Sequence, residues 1–408
     1  MAEVLEPQEV RTSGGGVDRT RFTVERLSRL EQVHALETEW RDLAEHTDPP
    51  LTVFSSWDWV VTWYEHFRPH KELCLLTVRD DAGRLVGVAP SSFTRLGLPR
   101  PRLLYLLGSG HALTEYVDAV LHRDVAEAAA TALFEAFDAT RNEWDLLGMP
   151  RLDACGALAR SVCRLGPAHG YRVFVDQHGC IRRRLPDTWP EFQASLSKSM
   201  RDNINNYANR LHRDGHQDEL VVVETLPEMD AALDSFFELH RRRARASKRY
   251  RHHDKFGTLK RRKFLRAVVH RLAERGQAWV CFLRVGGRPV AAQLCFVDRD
   301  RLYPYYSGFD PEWWAYGVMV TLTRRCIEHA IARGIRQLDL MAGPNQDKRR
   351  WGGNMEPLVD LTLASRRWGS RATFALFRIY KAKRTLGTRR ILKGAAPAPP
   401  IERYPLAS

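Results

Sequence analysis

Three polar residues near one short apolar stretch have the side-chain types that proton and anion chemistry require. Asp339 lies within a strand predicted for 337–341, where a carboxylate needs a partner or a raised pKa, so it is a candidate base or orienting group. Lys348 follows a Gly-Pro-Asn loop and could hold a phosphate or a developing oxyanion. Tyr306 comes at the end of an earlier strand and could donate a proton to a leaving group or orient an acceptor.

Each of these residues also has a plainer interpretation. Tyr306 fits a half-buried strand aromatic, which is the commoner case. Asp145 follows an earlier helix in a similar helix–strand unit, so Asp339 could equally serve a structural hydrogen bond shared by both units. Lys348 could simply be one of three exposed cations in the sequence Lys348-Arg349-Arg350.

The loop between Asp310 and Gly317 is a candidate phosphate-binding loop. It joins a strand to the helix predicted for 318–332, and a helix N-terminus offers unpaired N–H groups and the positive end of a dipole. Gly317 would permit close backbone approach, with Tyr316 and Val318 beside it. The same residues could also form an ordinary strand–helix connection.

A second polar loop lies in the first half of the chain. Gly108-Ser109-Gly110-His111 is followed by Glu115 and Asp118, and this loop could face an acceptor molecule. His111 would suit a base because imidazole titrates near neutrality, although a loop histidine is more often merely exposed. We take His111 and Asp118 as further candidate catalytic residues.

Several other kinds of site are not indicated. The sequence contains no Ser/His/Asp elbow, Walker loop or metal-ligand cluster. The seven cysteines are scattered without a C-x-x-C pair, so we expect buried thiols rather than a disulfide framework or a structural zinc site.

Composition indicates a globular protein with two local concentrations of positive charge. The 408 residues are 44% hydrophobic and 27% charged, and the length suggests two domains. No apolar run reaches a membrane-spanning length, and the N-terminus has no secretory pattern, so we expect a cytoplasmic protein. Residues 240–263 hold twelve Lys/Arg and one acid, and 366–393 hold ten and none. Such blocks indicate a solvated face or an anionic partner.

Periodicity predicts one series of elements twice. The two series are 73–78, 85–93, 103–107, 116–121, 126–139 and 144–149, and then 277–285, 289–297, 301–307, 318–332 and 337–341. Two local matches support an internal repeat: Gly83–Ala89 with Gly287–Gln293, and Trp144–Leu147 with Leu338–Met341. Strands joined through a crossover helix imply mixed sheets covered by helices.

At this level the sequence resembles the BioF2-like or CelD-type acetyltransferase family of the GNAT superfamily, related to the Fem peptidyltransferases. The resemblance covers roughly 25–365 and rests on loose motifs in a specific order. They are Phe54-Ser55-Ser56-Trp57, Trp63, the Gly83–Pro90 hairpin, Trp189, Leu196–Leu211, Leu239-His240, Tyr305–Pro311, Tyr316-Gly317, Gly334, Asp339, Gly343, Lys348 and Trp351. Ala315 and Asp347 depart from the family pattern, and the second departure weakens the assignment of Lys348.

The resemblance implies an α/β fold of mixed sheets with two tandem GNAT-like acyltransferase folds. We expect a disordered leader (1–20), an N-terminal half (21–185), a C-terminal half carrying the donor site (186–369), and a basic helix with a Pro/Ala-rich tail (370–408).

The resemblance also implies an enzyme that moves an acyl group from acetyl-CoA or another acyl-CoA, without a metal, to an amine or hydroxyl. The acceptor would be a small molecule, glycan or peptide, and the resemblance suggests polysaccharide or cell-envelope metabolism. Two alternatives stay open. One is a Fem-like transferase that uses aminoacyl-tRNA. The other is a non-catalytic scaffold that binds RNA or an anionic surface through 240–263 and 366–393, which would place the protein at the inner face of the membrane.

Overall fold

The computed structural model describes most of the chain. The described residues are 8–10, 22–47, 52–67, 71–95, 101–108, 113–246 and 252–391, with the backbone alone given for 8–10 and 382–391. His111 and positions 247–251 of the first basic stretch therefore lie outside the described residues. Within the stretch expected to be a disordered leader, Gln8–Val10 forms a strand that pairs with Phe22–Val24.

The first half contains ten strands and five helices among the described residues. The strands are β1 (Gln8–Val10), β2 (Phe22–Leu27), β3 (Lys71–Leu73), β4 (Leu75–Arg79), β5 (Leu85–Ala89), β6 (Ser91–Arg95), β7 (Arg102–Leu106), β8 (Val120–Leu121), β9 (Leu146–Asp153) and β10 (Arg172–Arg184). The helices are α1 (Leu30–Ala35), α2 (Glu37–Glu45), α3 (Trp57–Phe67), α4 (Ala126–Ala139) and α5 (Ala157–Ala168).

The second half contributes six strands and seven helices to the part of the chain that is described. The strands are β11 (Asp218–Val223), β12 (Ala278–Val285), β13 (Arg288–Asp298), β14 (Arg301–Phe309), β15 (Gln337–Ala342) and β16 (Asn354–Ala364). The helices are α6 (Trp189–Ala194), α7 (Lys198–Arg213), α8 (Leu226–Arg245), α9 (Leu259–Ala273), α10 (Val318–Ala332), α11 (Gln346–Arg349) and α12 (Trp368–Ile391).

Local sequence explains the two helices that were predicted with correct bounds, α4 and α10. Helix α4 is rich in alanine, the best helix former, and buries one apolar face. Helix α10 begins after Gly317, and Gly334 with φ +79° follows its end, a backbone conformation that glycine adopts without strain.

Two strands cross between the halves and join them in one sheet. Eleven strands are hydrogen-bonded in the order β11-β12-β13-β14-β15-β10-β16-β9-β7-β6-β3. Strand β10 is the last strand of the first half but pairs with β15, whereas β16 is the last strand of the second half but pairs with β9. A second sheet, in the order β1-β2-β4-β5-β8, belongs to the first half alone. The predicted boundary between 185 and 186 therefore divides a chain whose halves share the eleven-stranded sheet.

The internal repeat is visible in two parallel strand pairs and in a shared backbone distortion. Strand β7 pairs with β9 as far as Gly148, and β14 pairs with β15 as far as Leu338. Three residues beyond each of these positions stands a non-glycine residue with positive φ, Arg151 at +56° and Met341 at +63°. Such a conformation is uncommon outside glycine and is often found at functional sites.

This alignment corrects the equivalence of Asp145 and Asp339 suggested by the sequence. Asp145 precedes β9 and accepts a bond from the Arg102 amide, whereas Asp339 is the third residue of β15. Counted from the last parallel pair, the counterpart of Asp339 in the first half is Met149. The repeat therefore does not imply that Asp145 and Asp339 make the same structural hydrogen bond.

An aromatic cluster packs the first half against the second. Trp59 of α3 lies edge-on to Phe296 at 5.7 Å and to Tyr305 at 5.9 Å, and Phe54 lies 6.1 Å from Tyr303. Aromatic side chains bury large areas, and edge-to-face pairs add to that energy. The relative position of the halves is thus fixed by packing beside the strands that carry the candidate site.

Candidate functional site

The strands β14 and β15 diverge and open a cleft between them. They pair only at Arg301 with Gln337 and at Leu302 with Leu338. Beyond these residues β14 stays paired with β13 and β15 stays paired with β10. We call the space between Tyr303–Phe309 and Asp339–Ala342 the β14/β15 cleft.

A bulge on β14 directs two tyrosines at this cleft. Tyr306 is opposite Leu294 and Pro304 is opposite Cys295, so Tyr305 is an extra residue without a counterpart on β13. Bulges of this kind redirect side chains next to active sites, and proline tolerates a strand position where no N–H is needed. Tyr305 donates its hydroxyl proton to the carbonyl of Leu113, and the rings of Tyr305 and Tyr306 are 4.3 Å apart.

Lys348 lies at the β15 side of the cleft. Its ammonium donates to the carbonyl oxygens of Met341 at 3.3 Å and of Ala342 at 2.6 Å. Burial lowers the pKa of Lys348, while Glu115 and Asp339 act in the opposite direction. Since an ammonium has three N–H groups and two are used for these carbonyls, one is left for a further acceptor.

Glu115 of the first half belongs to the same group of residues. Its carboxylate is 3.0 Å from the Arg151 guanidinium, and its side chain is only 17% exposed. Burial raises the pKa of Glu115, against the lowering effect of Arg151 and Lys348. Burial also raises the pKa of Tyr306, and Glu115 adds to that effect. A carboxylate with a raised pKa beside a tyrosine and an ammonium can serve as a general base.

Asp339 is fully buried and already has three hydrogen-bond donors. Its carboxylate accepts from the Tyr116 hydroxyl at 2.7 Å, the Arg182 guanidinium at 2.8 Å and the Met341 amide at 2.7 Å. These bonds connect three segments of the chain and leave Asp339 poorly placed to take a proton from a substrate. The geometry favours an orienting and structural role over that of a base.

Asp118 is separated from the cleft and lines a cavity of about 80 Å³. Tyr116 stands between the two sites, because it lines this cavity and also donates to Asp339. Burial, with a smaller contribution from Asp153, raises the pKa of Asp118 to about 7. The structure therefore brings Lys348 close to Asp339 and Glu115, brings Tyr306 close to Glu115, and places Asp118 at a different cavity.

The four predicted donor-binding residues lie together where β14 leads into α10. Asp310 is buried, accepts from the Glu312 amide at 3.2 Å and pairs with Arg242 at 2.8 Å, so it caps the 3-10 helix Pro311–Tyr316. Tyr316 donates to Asp214 at 3.2 Å.

Gly317 and Val318 form the junction itself. Gly317 has φ +57°, and Val318 is the buried first residue of α10. The ring of Tyr207 on α7 lies against Gly317, since a Cβ added there would be 2.5 Å from that ring. The close approach predicted at Gly317 is thus made by Tyr207 in this conformation.

Three further groups of described residues have metal-ligand side chains. Cys281, Cys295 and Cys326 are buried as predicted, with sulfur atoms within 4.8 Å of one another, in the core between β12, β13 and α10. Asp176 and Asp360 face His178, and the Lys381 ammonium bridges the two carboxylates at 3.1 and 3.4 Å. The third group, Glu135, Asp138 and His169, lies where α4 meets the end of α5.

Residues missed by sequence reasoning include Tyr116, Arg151 and Arg182. Tyr116 was assigned to a strand at 116–121, but the strand covers only Val120–Leu121 because Tyr116 reaches across to Asp339. Glu115 was noted only as part of a polar loop. A signal that could have identified it is a carboxylate among apolar neighbours, Leu113, Tyr116 and Val117.

Comparison with known proteins finds one matching family model and several similar solved structures. Residues 198–349 match the family of acetyltransferase (GNAT) domains. The crystal structure of FemX is similar with a TM-score of 0.52 at 11% identity, over 82% of this chain and 96% of that chain. The C-terminal domain of a putative lysylphosphatidylglycerol synthetase from Agrobacterium fabrum has a TM-score of 0.49 at 11% identity, over 84% and 95%. A tandem GNAT protein of the clavulanic acid pathway has a TM-score of 0.44 at 15% identity, over 84% and 98%.

By sequence the chain matches no curated protein. At such low identity the FemX comparison bears on the fold alone. Together with the duplicated strand pairs and the family match, it leads to one conclusion: the chain has a mixed α/β fold of two tandem GNAT-like halves, and residues 198–349 of its second half are similar to GNAT acetyltransferase domains.

Proposed function

We propose that this protein transfers an acyl group from an acyl-CoA thioester to an amine or hydroxyl in the β14/β15 cleft. The observation that carries the proposal is the arrangement along β14. Tyr306 lies near Glu115, which in turn lies near Lys348, and β14 leads from Tyr306 through Asp310 and the 3-10 helix Pro311–Tyr316 to the α10 N-terminus at Val318. Tyr306 and Asp310 are about 13 Å apart along an extended strand, and a donor extended along this strand could have its thioester at Tyr306 and its phosphates toward the helix.

The side chains suit each step of such a transfer. Glu115 takes a proton from the acceptor as its nitrogen or oxygen attacks the thioester carbon. The Lys348 ammonium stabilises the negative charge that develops on the carbonyl oxygen. When the carbon–sulfur bond breaks, Tyr306 donates its proton to the departing thiolate. The proton held by Glu115 then passes through solvent to the Tyr306 phenolate, and both side chains return to their starting states.

Lys348→Ala is expected to slow transfer rather than weaken donor binding. Because the ammonium stands at the cleft and not at the α10 N-terminus, we expect thioester cleavage to fall about 10²-fold with little change in the dissociation constant for acetyl-CoA. Thiol release with a panel of amines gives the rate, and calorimetry gives the affinity. Arg349→Ala is the control, since Arg349 is its exposed neighbour. A large loss of affinity at an unchanged rate would assign Lys348 to the phosphates instead.

Tyr207→Ala is expected to tighten acetyl-CoA binding several-fold. The ring lies against Gly317 and would have to move for a phosphate to reach the first N–H groups of α10. Calorimetry with acetyl-CoA would measure the change, with Tyr380→Ala as an exposed tyrosine control. Weaker binding in the Tyr207 variant would mean that the ring is itself a donor contact.

The donor is the point on which the alternatives differ. A Fem-like transferase would use aminoacyl-tRNA, and a non-catalytic scaffold would bind RNA or an anionic surface without any thioester. Calorimetry with acetyl-CoA and longer acyl-CoAs, beside salt-dependent RNA binding, separates them. Absence of binding to every CoA tested, together with salt-sensitive RNA binding, would reject the proposed function.

The narrower assignments rest on the motif resemblance. Within the superfamily we place the chain in the BioF2-like or CelD-type branch, with an acceptor from polysaccharide or cell-envelope metabolism and a cytoplasmic location. Acylation of isolated amino sugars, compared with amino acids, is the first acceptor test that this assignment suggests.

A further inference from the structure

The C-terminal helix α12 has two apolar faces, and one of them is docked on the protein. Phe374 is buried against Leu103, Leu146 and Ala364, and Phe377 lies edge-on to Phe174 at 5.9 Å. Lys381 anchors the same side of the helix through its bonds to Asp176 and Asp360. The inner face of α12 is therefore covered by the sheet beneath it.

The outer face of α12 carries large apolar side chains in solvent. Trp368 is 85% exposed, Leu376 55%, Ile379 53% and Tyr380 61%. On a helix with 3.6 residues per turn these positions fall within about 120° of one another, opposite the docked phenylalanines. Single exposed apolar residues are ordinary, but four on one face of one helix indicate an interaction surface.

The charge of this segment identifies the kind of partner. Residues 366–393 contain ten Lys/Arg and no acid. A second copy of the chain would bring ten further cations to the same contact, which opposes self-association. Nucleic acid would use the cations and could stack on Trp368 and Tyr380, but it would leave the aliphatic side chains of Leu376 and Ile379 on the same face without an apolar partner. Basic residues combined with Trp, Leu and Ile are typical of helices that lie in the interface of an anionic membrane.

We propose that the outer face of α12 binds the surface of a bilayer containing anionic phospholipids, with Trp368, Leu376 and Ile379 inserted among the headgroups. No helix among the described residues is long and apolar enough to cross a membrane, so this contact is peripheral. Each cation near the surface strengthens binding roughly fivefold, and the contact weakens as salt screens it. The proposal is independent of the donor and of the chemistry in the cleft.

Vesicle flotation with the full-length protein tests this surface. Vesicles of phosphatidylcholine alone are compared with vesicles that also contain phosphatidylglycerol, at low and high salt. We expect strong binding only to the mixture at low salt, and a loss of about tenfold or more in Leu376→Ser/Ile379→Ser. Leu259→Ser is the matched control, because Leu259 is 67% exposed on α9 in the other basic stretch.

A second measurement does not depend on the double variant folding. Brominated lipids quench tryptophans that enter the membrane, so quenching of the wild type should exceed that of Trp368→Phe. Equal quenching, equal binding to both vesicle types, or unchanged binding in the double variant would overturn the proposal. So would self-association or RNA binding that depends on Leu376 and Ile379 without any affinity for vesicles.

Discussion

Glu115→Gln is expected to slow thioester cleavage by about 10²- to 10⁴-fold, the range attributed to a positioned general base. The amide keeps the shape of the side chain but accepts no proton from the attacking acceptor. Its neighbours Arg151 and Lys348 remain in place, so affinity for acetyl-CoA should change little. Rates are measured as thiol release with the same amine panel, and Glu219→Gln, an exposed glutamate on β11, is the control.

The pH dependence of the wild type gives an independent check on Glu115. Burial raises the pKa of this carboxyl, so the unprotonated form that accepts a proton accumulates only above the ordinary range for glutamate. The rate should therefore rise with pH through that raised pKa. A rate that is already constant just above the ordinary glutamate range, or an unaffected rate in Glu115→Gln, would exclude Glu115 as the base.

The raised pKa of Glu115 makes folding stability fall as pH rises, whereas it makes the rate of transfer increase. The folded state binds this proton more tightly than the unfolded state, so the folding stability linked to Glu115 is present below the ordinary pKa and is lost as pH rises through the raised one. Glutamine does not titrate, so the Glu115→Gln protein does not lose this stability as pH rises. We expect Glu115→Gln to become more stable relative to the wild type as pH rises, while its activity stays low at every pH.

The elements that sequence alone predicts well are those whose cause is local. Helices α4 and α10 have the expected bounds because alanine content, apolar spacing and flanking glycines act within one segment. The hairpins of β4 with β5 and β12 with β13 follow from turn residues between two apolar runs. The fold class follows from the order of these elements and is confirmed by the sheet topology.

The features that sequence could not supply depend on partners far along the chain. The exchange of β10 and β16 joins residues more than a hundred positions apart, and no local pattern specifies that register. The grouping of Glu115 with Lys348 depends on this arrangement, because Glu115 comes from the other half. Asp339 is the clearest case: its burial in an apolar strand predicts a partner, but only the structure identifies Tyr116 and Arg182.

Asp339→Asn is expected to lower the free energy of unfolding by about 3–5 kcal/mol, the cost of breaking a buried ion pair by removing one partner. Asp339 is completely buried and pairs with Arg182, whose side chain is only 13% exposed. The amide removes the buried carboxylate from Arg182, which keeps only its more exposed partners Glu356 and Asp153, and it offers one accepting oxygen to three donors. Chemical denaturation measures the change, and Asp234→Asn, in a pair with an exposed carboxylate, should cost less than about 1 kcal/mol.

Tyr116→Phe separates the structural role of Asp339 from a catalytic one. Loss of a single hydrogen bond should cost about 1 kcal/mol, and the two changes together should cost less than their sum because they remove the same contact. The hydrogen bond that connects Tyr116 to the β14/β15 cleft is the one to Asp339. The rate of transfer by Tyr116→Phe should therefore depend on pH as it does in the wild type. A stable Asp339→Asn protein with a shifted pH profile would instead make Asp339 the base and leave Glu115 as its partner.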